Sequence, residues 1–161
     1  MYIDKMKLIN FRNYECQEIQ FNKNINIIYG DNAQGKTNIL EAIFLSSFGK
    51  SFRTSKEKEL IKFGQDKLMV EANFQKKDRD GKIRIEIGSK KQITVNGIKI
   101  KKLSELLGNI NIVIFNNICN SMQSIKPLYS CIFYIIFSIK LFTHHVTKCK
   151  ISTFFRITSK N

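Results

Sequence analysis

The chain contains a complete G-x-x-x-x-G-K-T phosphate-binding loop, Gly30-Asp31-Asn32-Ala33-Gln34-Gly35-Lys36-Thr37. An apolar run, Ile25-Asn26-Ile27-Ile28-Tyr29, leads into it, and a helix-like stretch over residues 38–48 follows. Strand, loop and helix in that order form the context in which this pattern works as a phosphate cradle. The spacing has a chemical reason. A triphosphate is a small, dense negative charge that needs several converging donors. Successive backbone N–H groups of a curled loop supply them, and the following helix N-terminus adds its dipole. Gly30 and Gly35 suit positions where the chain turns sharply or approaches phosphate without a Cβ in the way. Lys36 brings positive charge to the β- and γ-phosphates, and the Thr37 hydroxyl is placed to ligate Mg2+. Asp31, Asn32, Ala33 and Gln34 contribute mostly backbone. The bland alternative is a glycine-rich turn with Lys36 solvated at a helix start. A lysine in the first turn faces the unfavourable end of the helix dipole, a cost that a nearby anion offsets.

A length of 161 residues suffices for one ordinary domain with a core of its own. The net charge of +14 favours an acidic partner, nucleic acid or a membrane surface. Lysine here travels with abundant Ile, Asn and Phe, a bias that AT-rich coding DNA also produces, so basicity alone supports nucleic acid weakly. The start, Met1-Tyr2-Ile3-Asp4-Lys5-Met6-Lys7, has an acid and no apolar core, which is not the pattern of a secretory signal. The four cysteines include no C-x-x-C pair. With a phosphate loop they imply free thiols and a reducing, cytoplasmic location.

Residues 1–115 read as an α/β sequence. Strands are expected over 2–11, 15–21 and 25–29, then the loop helix over 38–48 and a second short helix over 56–63 ending at Gly64. Residues 68–74 alternate as a strand, Asp80-Gly81 is expected as a hairpin turn, and 82–87 pairs back. Residues 92–95, the Asn96-Gly97 turn and 98–100 form a second hairpin signal. Ser104 is expected to cap a short helix through Leu107, stopped by Gly108, and 109–115 reads as a buried strand.

From residue 116 the character changes. Residues 116–161 hold no Asp or Glu, whereas all 13 acidic residues precede them. Three of the four cysteines, both histidines and the only proline lie in this stretch. It shows no repeat, amphipathic period or helix cap, and it is expected to be unrelated to the α/β part, as a frameshifted or read-through end would be. Residues 128–142 are strongly apolar, but they carry Lys140 and fall short of the roughly twenty residues a helical span needs. Cys131, His144, His145 and Cys149 are zinc-ligand types at a spacing that fits no standard site.

Two stretches carry a family resemblance: Lys7-Leu8-Ile9-Asn10-Phe11-Arg12-Asn13-Tyr14, and Tyr29 through the loop to Asn38-Ile39-Leu40-Glu41-Ala42-Ile43. Gly49-Lys50-Ser51-Phe52-Arg53, Val95-Asn96-Gly97 and Lys102-Leu103-Ser104-Glu105-Leu106-Leu107-Gly108 agree with them. Over residues 1–115 the chain resembles the RecF family of bacterial recombination mediators, ABC-type ATPases related to SMC proteins. The resemblance implies an incomplete P-loop ABC-ATPase head with antiparallel hairpins in a mixed sheet, and ATP with Mg2+ as cofactors. It also implies a role in DNA replication, DNA damage repair and the SOS response. The partners it implies are single- and double-stranded DNA, other recombination mediators, the RecA recombinase loaded at gaps, and a second head in an ATP-dependent dimer.

The departures matter as much. The family is about twice this length, and its later part carries the ABC signature, the Walker B aspartate and a catalytic carboxylate. After Phe115 this chain offers no carboxylate, so at most weak nucleotide binding and no hydrolysis are expected, and dimerisation through the missing signature is doubtful. The strand at 25–29 is expected to lose its Walker B neighbour and expose an apolar edge. Arg12 and Asn13 are either close to the nucleotide or a polar turn. Lys50 and Arg53 are either phosphate or DNA contacts or a solvated connection. Lys76, Lys77, Lys90, Lys91, Lys99, Lys101 and Lys102 are either a phosphate-contacting stripe or a solvated hairpin surface. Two other functions compete: a small-molecule phosphotransferase using the same loop, which would need an Arg-rich lid that is not seen, and an inert DNA-binding fragment.

Overall fold

A computed structural model describes residues 1–30, 34–76 and 79–112, and the backbone of 113–114, 135–136 and 154–156. Six strands make one antiparallel sheet: β1 (Tyr2–Phe11), β2 (Tyr14–Gln20), β4 (Leu68–Lys76), β5 (Arg79–Ile87), β6 (Gln92–Val95) and β7 (Ile98–Lys99), in the order β2-β1-β4-β5-β6-β7. The phosphate-loop strand, β3 (Ile27–Tyr29), stands outside that sheet and leads to the only α-helix among the described residues, α1 (Lys36–Phe48). Antiparallel and parallel pairings are therefore both present, in separate sheets.

Alternation builds the core. Met6 and Leu8 of β1, Val70 and Ala72 of β4, and Ile83 and Ile85 of β5 are all fully buried on one face of the sheet. Ile3 is buried too, although its parity is opposite to that of Met6. The register between β1 and β4 shifts between Ile3 and Lys5, and the extra residue, Asp4, returns both side chains to the same face. Across this face lies α1, with Ile39, Leu40, Ala42, Ile43 and Leu45 buried, a helix apolar on most of its circumference and enclosed accordingly. Gly49 ends it in the left-handed conformation at φ 69°, its N–H donating to the Leu45 carbonyl at 2.7 Å.

The Asn96-Gly97 turn forms as expected, with φ of 52° and 82° at the two residues, the geometry that joins twisted strands most easily. Asp80-Gly81 does not form the other turn. Asp80 pairs with Gln75 and Gly81 with Phe74, inside the ladder, and the strands run on to the Lys76–Arg79 pair. The glycine serves its neighbour here: the Phe74 ring lies over it so closely that a Cβ would stand 2.3 Å from the ring. The helix expected over 56–63 is a single 3-10 turn, Glu57–Leu60. Beyond it the backbone is drawn alongside the end of β1, with Ile61 bridging Phe11 and the Lys62 N–H donating to the Asn10 carbonyl at 2.8 Å. The helix expected from Ser104 is likewise a 3-10 turn, Leu103–Glu105, which starts at Lys102 rather than at a serine cap.

Of the strand expected over 109–115, the described residues through 114 form only β8 (Val113–Ile114), paired with β9 (Ile135–Ile136). The β3 edge, expected to be bare, is paired in parallel by β10 (Phe154–Arg156). Asp31, Asn32, Ala33 and Lys77 lie outside the described residues, as do Cys131, His144, His145, Cys149 and most of 128–142. Among the described residues no helix is long and apolar enough to cross a membrane and no group of three metal-ligating side chains occurs. Cys16 is a free, exposed thiol.

Removing the ring that covers Gly81 tests the cross-strand reading. Phe74→Ala should cost about 3–5 kcal/mol, the usual range for emptying a buried aromatic site, measured as a lowered urea midpoint at unchanged slope.

Candidate functional site

The loop is shaped at both ends by glycine. Gly30 has φ 145° and Gly35 has φ 92°, values that side-chain-bearing residues rarely adopt. Gly35 is the N-cap of α1, and its carbonyl accepts from the N–H groups of Asn38 at 2.8 Å and Ile39 at 3.2 Å. Lys36 begins the helix, and its Nζ donates to the Gly30 carbonyl at 2.6 Å, joining the two ends of the loop. Thr37 follows in the first turn, half-buried. The first turn of α1 contains no acidic residue, so none of its own side chains offsets the positive end of the helix dipole. Lysine and helix terminus thus meet where an anion is well held, and the hydroxyl of Thr37 is the right type of ligand for a divalent cation bridging phosphate oxygens.

Behind the loop sits the turn between β1 and β2. A Cβ on Gly35 would stand 2.5 Å from the Tyr14 hydroxyl and 3.0 Å from the Asn13 Nδ2. Gly35 is therefore required twice, by its backbone conformation and by this close approach. Asn13 is fixed in place, its Oδ1 accepting from the Asn38 Nδ2 at 2.7 Å.

A buried carboxylate organises the surroundings. Glu41 lies in the middle of α1 with no exposed surface. Arg12 approaches it with two parallel bonds, Nε to Oε2 at 2.9 Å and Nη2 to Oε1 at 2.7 Å. The Ser51 hydroxyl donates to Oε1 at 2.5 Å, and Arg53 donates through Nη1 to Oε2 at 3.2 Å and to the Asn38 Oδ1 at 2.8 Å. Arg12 also donates to the Glu59 carbonyl at 2.8 Å. Burial by itself would push the Glu41 carboxyl up. The hydrogen bonds from Arg12 and Ser51 and the charges of Arg12 and Arg53 together outweigh it and hold the group below the ordinary glutamate value.

These contacts give the arginines a partner within the fold. Arg12 forms a structural tie to α1, reached through a left-handed backbone at φ 54°. Arg53 belongs to the same network, whereas Lys50 is exposed. Within the lysine group the roles divide. Lys91 donates to the Gly49 carbonyl at the end of α1 and to Glu57, and Lys76 donates to the Gly108 carbonyl at 2.8 Å. Lys90, Lys99, Lys101 and Lys102 remain on the surface. Sequence reasoning missed Glu41 as the centre of the site. Its signal was a carboxylate inside Ile39-Leu40-Glu41-Ala42-Ile43, an apolar stretch in which a buried charge requires a partner.

Glu41→Gln should destabilise the fold by about 3 kcal/mol near neutral pH, because it leaves the two arginines around a neutral group. The lowered pKa fixes the sign with pH. The ionised carboxylate contributes its stability in full above the ordinary glutamate value of 4.5, and that contribution is lost as pH falls below it. The gap between the two proteins in thermal melts should therefore narrow from pH 7 toward pH 3.

The sequence matches the AAA-domain family over residues 5–154. The DNA replication and repair protein RecF of Clostridium acetobutylicum is 55% identical over 118 residues, which cover 72% of this chain and 32% of that protein. RecF bound to ATP, in the RecFOR pathway, superposes with a TM-score of 0.69 at 42% identity, over 72% of this chain and 33% of that one. An SMC head bound to the C-winged helix domain of ScpA superposes with a TM-score of 0.60 at 28% identity, over 66% of this chain and 39% of that one. The chain spans about a third of the length of the curated relatives it matches. Both the profile and the fold lead to one assignment: the chain belongs to the AAA-domain family, and over the matched residues it is a homologue of RecF.

Proposed function

We propose that this chain is the N-terminal part of a RecF-type ATPase head in DNA replication and repair, and that it binds ATP with Mg2+ through Gly30 to Thr37. The observation that carries the reading is the geometry of the loop's two ends: left-handed Gly35 capping α1, and Lys36 reaching back to Gly30 at 2.6 Å. In this reading the loop amides and Lys36 hold the β- and γ-phosphates, and Thr37 supplies the protein oxygen to Mg2+. The bound ion neutralises phosphate charge.

Hydrolysis needs more than a cradle. Residues 116–161 hold no Asp or Glu, so that stretch supplies neither a second-side Mg2+ ligand nor a base for water. Binding without turnover is the activity proposed for the chain, with 116–161 taking no part in ATP chemistry.

The finer roles are proposed on the family's account. Binding of single- and double-stranded DNA is supported by the charge of +14 and by surface Lys90, Lys99, Lys101 and Lys102. Such contacts read no sequence and weaken with salt. Cooperation with other mediators and RecA, and pairing of two heads around ATP, rest on the RecF relatives alone.

Calorimetric titration of the purified chain with ATP and Mg2+ tests the central reading. Lys36→Ala should weaken binding by at least about tenfold, ~1.4 kcal/mol, with no phosphate release above background for either protein. Equal affinity in the two would overturn it. DNA affinity measured by anisotropy should fall linearly in log–log form with salt, and identical affinity at low and high salt would refute a phosphate-contacting surface.

A further inference from the structure

We propose that Tyr14 belongs to the nucleotide site, its hydroxyl donating a hydrogen bond to a phosphate oxygen of the bound nucleotide. This rests on the reading of the loop given above and adds a residue from outside it.

The Tyr14 hydroxyl is buried and makes no hydrogen bond. A buried hydroxyl without a partner costs free energy, and nearly all such groups find one. The only other such atom among the described residues is the Asn73 Oδ1, on β4 of the sheet. Tyr14 is placed quite differently. Its oxygen faces Gly35, where a Cβ would stand only 2.5 Å away, directly before Lys36 and at the positive end of α1. The hydroxyl is thus an unused donor at the place where an anion is expected.

Its surroundings narrow the candidates for a partner. Asn13, the other polar side chain against Gly35, has already committed its Oδ1 to Asn38. Arg12 and Arg53 are engaged by Glu41. Burial raises the phenol's pKa, so the group stays protonated and able to donate. A phosphate oxygen is a charged acceptor, and hydrogen bonds to charged acceptors are the strong ones. The backbone of Tyr14 is held by the β1–β2 ladder, where it pairs with Phe11, and its side chain packs against the core, so the donor is positioned before the ligand arrives. The same crowding explains why Gly35 has no room for a side chain.

Tyr14→Phe removes the oxygen alone and keeps the ring. Without nucleotide, the thermal midpoint should be unchanged or raised, because an unsatisfied polar group is lost. ATP should bind about tenfold or more weakly, the size of one hydrogen bond to a charged group, and inorganic triphosphate should lose the same factor. A purely structural tyrosine would give a lower midpoint with unchanged ATP affinity, which overturns the proposal. A loss seen for ATP and not for triphosphate overturns it as well, since the contact would then lie on the nucleoside. If the wild-type chain binds neither ligand, the reading of the loop fails along with it. If the wild type binds both and Tyr14→Phe binds them equally, only the role of Tyr14 fails.

Discussion

One buried carboxylate holds the phosphate loop in register with the rest of the molecule. Glu41 has no exposed surface, and its two oxygens take four side-chain donors, two from Arg12 and one each from Ser51 and Arg53. The donors come from the β1–β2 turn and from the segment after α1. A single charge therefore ties three pieces of chain that are distant in sequence. Stranding an ion in a low-dielectric interior is costly, and the cost is met only while every partner is in place. That makes the arrangement all-or-none: loss of one partner loosens the turn, the helix and the following segment together.

The tie matters because the sheet does not supply it. In this chain β3 stands outside the six-stranded sheet and pairs only with β10 among the described residues. The strand that feeds the loop is thus not clamped between two long neighbours. What fixes the loop's far end is α1, packed on β4 and β5 by its apolar side chains and joined to the β1–β2 turn by the Asn38–Asn13 bond and the Arg12–Glu41 pair. Packing sets the helix axis and the polar ties set its rotation and its start. Gly35 is held between them.

Much of this was legible before the fold was known, and the failures have specific causes. The loop and the Asn96-Gly97 hairpin were plain because each depends on local backbone rules, glycine or asparagine at positive φ and a fixed spacing. Asp80-Gly81 misled for a non-local reason: the glycine makes room for Phe74 across the strand pair, and no property of its own neighbours reveals that. Residues 57–60 have helix-forming composition, yet the bridge from Ile61 to Phe11 draws the chain extended after one turn. The two arginines were ambiguous because a cation near a phosphate loop serves phosphate and carboxylate equally well. Only the burial of Glu41 distinguishes the two, and burial is a tertiary fact.

Binding and hydrolysis of a triphosphate make different demands on a fold. Holding a triphosphate requires amides, a lysine, a helix terminus and a hydroxyl, and the eight positions proposed for that role are consecutive, the last of them next to one turn and one network. Turning it over requires carboxylates brought to the same point from elsewhere in a fold, and residues 116–161 contain none. The bracing residues all lie between positions 12 and 59, so the network that shapes the loop is complete without that segment. The polar ties that orient the loop end thus lie between positions 12 and 59, and the packing that seats α1 comes from β4 and β5, all of it before residue 88.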